Sequence, residues 1–329
     1  MSHRLRIGVL RGGPSNEYEV SLNSGAAVLS ALRDRFEDQY QARDIFIDRN
    51  GTWHIDGIAV LPQDAIHKID VAFNALHGKY GEDGKLQSFF EIHGMPFTGS
   101  GSLGSAVGMN KALAKKVLKD HGIKSPYHTE IPSAEIAGDI DALARRLFHS
   151  VILPAVVKPA TSGSSVGVSI VRAYGEFPAA LKEAALHSDI VMIEEYIQGI
   201  EATCGVIEGF RGQELYALPV IEIKPAAHFF DYEAKYGGKS EEIIPARFAD
   251  QTKKEIEELA QKVHRALGLR HYSRSDFIIH PRRGIYVLEV NTLPGLTKES
   301  LIPKALRAVG SDIHELVQHV IELAEKIKR

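Results

Sequence analysis

Cysteine is almost absent from this 329-residue chain: Cys204 stands alone, so no internal disulfide forms and no second thiolate completes a zinc set. It reads as a small core residue. An excess of charge of one sign is missing too. Thirty-nine Lys and Arg face 42 Asp and Glu for a formal net charge of −3, which leaves no broad basic face for a nucleic-acid backbone. No apolar run is long enough to span a bilayer, and the opening MSHRLRIGVLRGG has only a short apolar stretch ending in glycines, unlike a secretory leader. A reducing, cytoplasmic setting is therefore expected. Internal repeats, low-complexity tracts and coiled-coil heptads are likewise missing. What remains, at 44% hydrophobic and 25% charged residues, is the composition of a soluble globular protein whose length suits two or three domains.

The most informative stretch runs from Asp276 to Thr297, DFIIHPRRGIYVLEVNTLPGLT. Two apolar runs joined by a Pro-Arg-Arg-Gly turn each carry oxygen-bearing side chains at the same end. Paired as an antiparallel hairpin, they set Asp276 opposite Glu289 and Asn291. Three hard oxygen donors without His or Cys suit magnesium, which keeps several waters and is shared with substrate phosphates. The bland alternative is a hairpin whose acids face solvent.

The first third alternates strand and helix: LRIGVL, then a GGPSNE turn and the helix VSLNSGAAVLSALR, then strands DIFID and VAFNAL. That order predicts a parallel sheet flanked by helices. A helix around EDGKLQSFFEIHG leads to PFTGSG, whose Gly-Ser punctuation marks a boundary near residue 98. The Lys-rich helix MNKALAKKVLKDHG, strands VILPAVVKP and SVGVSIV, a further helix and the strand DIVMIEEYI follow. Strands ATCGVIEG and LYALPVIEI, a polar loop from about Lys224 to Ile244, the helix TKKEIEELAQKVHRALG, the acid hairpin and two helices close the chain. The loop is long enough to be expected as a lid.

Lys158 ends a strand, and ATSGSSVG follows it; small residues admit close backbone approach, and Ser164 and Ser165 add donors, so the loop can cradle phosphate or merely turn a hairpin. The Walker A spacing is absent. Glu194, Glu195 and Glu201 crowd a strand end that can take an adenine edge and ribose hydroxyls, or simply meet solvent. Glu17 precedes a helix that Ser21 or Asn23 could also cap; its carboxylate can hold an ammonium or complement the helix dipole. His77 follows a buried strand, where ligands gather in parallel sheets, and equally reads as structural. Arg274 suits a bidentate contact to a carboxylate or phosphate, or a surface ion pair. NTLPGLTKESL turns at Pro294 and Gly295 and starts a helix near Ser300, whose amides can receive a carboxylate.

Together HGKYGEDG, FTGSG followed by MNK, KP with GSSVG, EEYIQGIE, DYEAKY, SRSD and LEVNTLPGLTKESL occur in one order. Over roughly residues 5 to 323 the chain strongly resembles the D-alanine:D-alanine ligases of the ATP-grasp superfamily. The resemblance implies a three-domain α/β ATP-grasp architecture. Its parts would be an amino-terminal parallel-sheet substrate domain (1–98), a central subdomain (99–197) and a carboxy-terminal subdomain (198–329) with the metal site and a lid at 224–244.

The resemblance also implies roles. Glu17, Ser164, Tyr236, Arg274 and Gly295 would be catalytic, with Ser164 and Tyr236 linked to Glu17, which takes the first substrate's ammonium. His77, Ser300 and Leu301 would bind substrate. Lys111, Lys158, Ser165, Glu194, Glu195, Tyr196, Ile197, Glu201 and Lys235 would bind ATP, while Asp276, Glu289 and Asn291 would hold two magnesium ions, manganese being a substitute. The implied activity is ATP-dependent joining of two D-alanine molecules through an acyl phosphate for peptidoglycan precursors. The implied assembly is a cytoplasmic homodimer without nucleic-acid or membrane partners. Tyr236 goes with an amino acid acceptor, where Phe goes with D-lactate. Alternatives are another acceptor (D-lactate, D-serine or a different amino acid) or a nucleotide-binding regulator without turnover, against which the intact metal ligands argue. Asn110, Glu195 and Ala202 depart from common family wording, where Asp, Lys and an aromatic residue are frequent.

Overall fold

The computed structural model describes residues 4–161, 163, 166–225 and 240–326. Among these, the strands form three sheets, each drawn from one stretch of chain. The first has the order β4-β3-β2-β1-β5, from β1 (Leu5–Gly12), β2 (Tyr40–Ile47), β3 (Trp53–Ile55), β4 (Ile58–Val60) and β5 (Val71–Asn74). Strand β1 runs parallel to β2 and β5, as a continuous apolar run buried on both faces requires. The sheet is nevertheless mixed. Strands β3 and β4 form an antiparallel hairpin added to β2, because Asp56 and Gly57 both take positive φ (52° and 80°), the geometry of a tight hairpin turn. Helices α1 (Tyr18–Phe36), α2 (Pro62–Ile66) and α3 (Lys85–Ile92) flank this sheet.

Two helices the length of a few turns, α4 (Ser102–Met109) and α5 (Lys111–Asp120), lead into the second sheet. Asn110 caps α5 by accepting a hydrogen bond from the Leu113 amide at 3.0 Å, a task that Asn performs as well as the Asp common at this position. The second sheet is antiparallel, ordered β6-β9-β7-β8 from β6 (His128–Pro132), β7 (Ala155–Pro159), β8 (Ser169–Val171) and β9 (Ile190–Glu195). Its apolar face is covered by α6 (Ser133–Ile136), α7 (Ile140–Ser150) and α8 (Phe177–Ala185) around Leu147, Val157, Phe177 and Val191. Strand β6 and helices α4, α6 and α7 had no counterpart in the sequence reading.

The third sheet has the order β13-β12-β10-β14-β15, with β11 on β10. Its strands are β10 (Ile200–Glu208), β11 (Leu215–Ala217), β12 (Ile221–Pro225), β13 (Ser240–Ile243), β14 (Tyr272–His280) and β15 (Gly284–Asn291). The stretch LYALPVIEI, read as one strand, is two: Pro219 has no N–H to donate and parts β11 from β12. The expected loop from Lys224 to Ile244 is also shorter. Its ends are strands, with Lys224 opposite Glu241, and residues 226–239 lie outside the described residues. One face of the sheet is covered by α9 (Asp250–Ala266), whose Ile256, Ala260 and Val263 recur at helical spacing. The other face meets α10 (Leu301–Ala308) and α11 (Ile313–Lys326) in a core continuous with α1 and the first sheet.

Candidate active site

The hairpin forms in the expected register. Arg274 pairs with Asn291 and Asp276 with Glu289, so side chains two apart on each strand and opposite one another across the ladder share one face. A bulge follows, since Phe277 pairs with Val287 and Leu288 is the extra residue. Arg274 grips Asp276 with both ends of its fork, Nε and Nη2 each 2.9 Å from a carboxylate oxygen. Thr203 on β10 donates to the same carboxylate at 2.6 Å and the Asn291 amide at 3.1 Å. Lys111, at the start of α5, places Nζ 3.4 Å from Glu289. Among the described residues no group of three His, Cys, Asp or Glu side chains is arranged to hold a metal ion by itself. The donor set is two carboxylates and one amide, which fits a hard cation whose remaining positions are taken by phosphate oxygens and water.

A cavity of about 540 Å³ opens over this face. It is lined by Lys111, Lys158, Glu194, Glu195, Tyr196, Ile197, Glu201, Arg274, Asp276, Glu289, Gly295, Ser300 and Leu301, which brings the expected nucleotide, metal and acceptor residues together. Ser164, Ser165, Lys235 and Tyr236 lie outside the described residues.

Within the cavity, Glu194 is not presented as a simple ribose acceptor. Its buried carboxylate is held between two lysines, Lys115 Nζ at 2.6 Å and Lys158 Nζ at 2.9 Å. Burial alone would raise its pKa, but the paired cations hold it below the usual carboxylate range. Lys115 is pulled down to about 8 by burial, against the attraction of Glu194. It also donates to the Pro126 carbonyl at 3.1 Å. Lys115 was missed in the sequence; the available signal was its place four residues after Lys111, on the same side of α5. Glu195 points elsewhere, to Arg283 at 2.8 Å and to the Tyr127 amide at 3.1 Å.

A smaller cavity of about 80 Å³ adjoins the first and shares Lys111, Arg274, Glu289 and Gly295 with it. It is lined also by Glu17, His77 and Asn291. Glu17 stands at the start of α1 without capping it through its side chain. Ser21, a candidate cap, instead donates to the Ala75 carbonyl and accepts from the Gly12 amide, tying α1 to two strand ends. The space for the Glu17 carboxylate is kept by two glycines, since a methyl group on Gly78 would sit 2.6 Å from Oε2 and one on Gly163 2.5 Å. Ser15 donates to the His77 carbonyl at 2.7 Å and fixes this turn.

His77 uses both ring nitrogens within the protein, Nδ1 to the Leu293 carbonyl and Nε2 to Ser24 Oγ, each at 2.8 Å. Burial lowers its pKa, against the pull of Glu17, so the neutral imidazole braces the turn before Gly295. Glu82 was missed as well. It accepts from the Gly78 amide at 2.8 Å, the Leu293 amide at 3.0 Å and the Thr292 hydroxyl at 3.1 Å. Burial and the Glu17 charge push its carboxyl up to about 7. Only its place in HGKYGEDG hinted at it. Ser300 precedes α10, accepting from the Thr297 amide at 3.1 Å.

Comparison with known proteins yields a consistent set of likenesses. Residues 117–322 match the family model described as D-ala D-ala ligase C-terminus, and residues 6–64 and 57–100 match D-ala D-ala ligase N-terminus. A D-alanine–D-alanine ligase of Geotalea uraniireducens is 43% identical over 97% of this chain and 95% of its own. The VanG D-Ala:D-Ser ligase from Enterococcus faecalis superposes with a TM-score of 0.85 at 32% identity, covering 98% of this chain and 100% of the other. The D-alanine–D-alanine ligase from Bacillus anthracis gives a TM-score of 0.78 at 34% identity, covering 98% of each.

Proposed function

Because the chain belongs to the D-alanine–D-alanine ligase family, we propose that the joined cavities hold ATP and two D-alanine molecules side by side, with the roles below. The chain is an ADP-forming, ATP-dependent ligase that makes D-alanyl-D-alanine for cell-wall synthesis. The observation that carries the assignment of roles is the shared face of Arg274, Asp276, Glu289 and Asn291 beneath the cavity, with Lys111 beside it.

In our reading the adenine and ribose lie along Glu194 to Ile197 and Glu201, and Lys111 and Lys158 meet the phosphates. Glu17 receives the ammonium of the first D-alanine, which turns its carboxylate toward Arg274 and Gly295. That carboxylate attacks the γ-phosphorus, ADP leaves, and an acyl phosphate results. The amine of the second D-alanine, its carboxylate at the Ser300 hydroxyl and the Leu301 amide, attacks the acyl carbon; a tetrahedral intermediate expels phosphate. Asp276, Glu289 and Asn291 would hold magnesium, which when bound neutralises phosphate charge. Arg274 and the lysines do the same from the protein side, so positioning and electrostatics carry the reaction and no protein nucleophile is needed.

The finer division of the chain belongs to the same proposal: a substrate domain at 1–98, and subdomains at 99–197 and 198–329 that hold ATP between them. So do a homodimeric assembly and a cytoplasmic setting, consistent with the absence, among the described residues, of a helix long and apolar enough to cross a membrane. Purified protein given ATP, magnesium and a panel of D-amino acids should release one phosphate per D-alanyl-D-alanine formed. Phosphate release without dipeptide, or a preferred D-seryl or D-lactyl product by mass, would reject the reading.

A further inference from the structure

Lys304 has no part in the roles above, yet its side chain lines the larger cavity and joins two distant pieces of chain. Its ammonium lies 2.8 Å from Glu242 on β13 and 3.3 Å from Glu299, just ahead of α10. The Glu242 pair is the sheltered one, with side chains 23% and 20% exposed, whereas Glu299 is 78% exposed. A solvated pair such as the latter contributes little. Burial works against the lysine charge, but hydrogen bonds to both carboxylates raise its pKa overall.

The place of this pair in the fold matters more than its strength. Strand β13 is the edge of the third sheet, hydrogen-bonded to β12 alone among the described strands. Lys304 sits in the first turn of α10, where its amide bonds to the Ser300 carbonyl at 3.1 Å. The ion pair therefore fastens an edge strand to the turn that opens with Ser300 and Leu301.

We propose that Lys304 is a positioning residue for the acceptor half of the cleft, its bond to Glu242 setting where the Ser300 hydroxyl and the Leu301 amide meet the incoming carboxylate. This rests on the acceptor placement proposed above and deepens it. A binding group must be held to within about half an ångström by its supporting contacts, and a misplacement of about 1 Å is enough to weaken transition-state binding severely.

The test uses the full chain with Lys304→Met and Glu242→Gln, resolving donor and acceptor KM from the two-site dependence of rate on D-alanine. Acceptor KM should rise about tenfold in each variant, while donor KM, the KM for ATP and kcat stay within about twofold. Lys304→Arg should retain the native acceptor KM, and combining K304E with E242K should restore most of it. An unchanged acceptor KM, an equal rise in the KM for ATP, or a lowered Tm with native kinetics would overturn the proposal. Ser300→Ala separates the two levels: a native acceptor KM there removes the acceptor placement itself, whereas a raised value beside a normal Lys304→Met variant rejects only the role of Lys304.

Discussion

A buried and a half-buried carboxylate in this molecule behave in opposite ways. Glu194, in the nucleotide half, is clasped by Lys115 and Lys158 and is held below the usual carboxylate range. Glu82, on the wall of the smaller cavity, accepts from neutral donors and is half-buried with the Glu17 charge nearby, so it is pushed up to about 7. Burial opposes ionisation in both; the partners decide the outcome. The wall of the larger cavity is thus wired for permanent charge. Beside the smaller cavity, a carboxyl with a raised pKa joins the HGKYGEDG loop to the chain just after β15.

The contrast is broken most severely by Glu194→Leu, which leaves two lysines buried without a counter-charge. Urea unfolding should show a loss of about 3–5 kcal/mol, and a loss below about 1 kcal/mol would mean that Glu194 does not organise the pair. Asp276 extends the comparison to a paired carboxylate on the cavity wall. Asp276→Ala should lower turnover by about a hundredfold or more with a much smaller effect on stability, because charge is removed where the phosphoryl group moves. Near-normal turnover would show that the metal and phosphoryl group lie elsewhere.

The smallest effect, and the sharpest, concerns Glu82→Gln. The Glu82 carboxyl, pushed up to about 7, lies above the ordinary glutamate value of 4.5. The folded chain therefore binds more protons between the two, and through this group stability falls as pH rises across that window. Gln cannot ionise, so the variant should gain on the native chain by an amount on the order of 1 kcal/mol between pH 5 and pH 8. Parallel stability curves for the two proteins would refute the raised value.

These two carboxylates also mark how far the sequence could be read. The acid hairpin was legible because alternation, turn chemistry and apolar runs are local signals, and they placed Asp276 opposite Glu289 correctly. Lys111 and Lys158 were recognisable from the motifs around them. The clasp on Glu194 was not, because Lys115 reaches it from α5, 79 residues earlier in the chain. Glu82 was hidden for the same reason: the Leu293 amide and Thr292 hydroxyl come from far along the chain, and nothing in HGKYGEDG states its environment. The β3–β4 hairpin is different. Asp56-Gly57 is a strong local turn signal that the parallel-sheet expectation overrode. The strand ends that flank residues 226–239 were missed because Lys224, Pro225 and the short β13 carry little apolar signal, and only their pairing identifies them.

The hairpin that places Arg274, Asp276 and Glu289 on the cavity wall has a second face. Phe277, Val287 and Val290 are buried in an apolar core to which α9 also contributes. A slip of one residue along either strand would bury charges under that helix and expose the apolar set, so the oily side acts as a lock on alignment. Residues of the apolar core thereby aim the charged ones on the cavity wall. Selection for a tight core beneath the sheet is, in this enzyme, also selection for where its charges point.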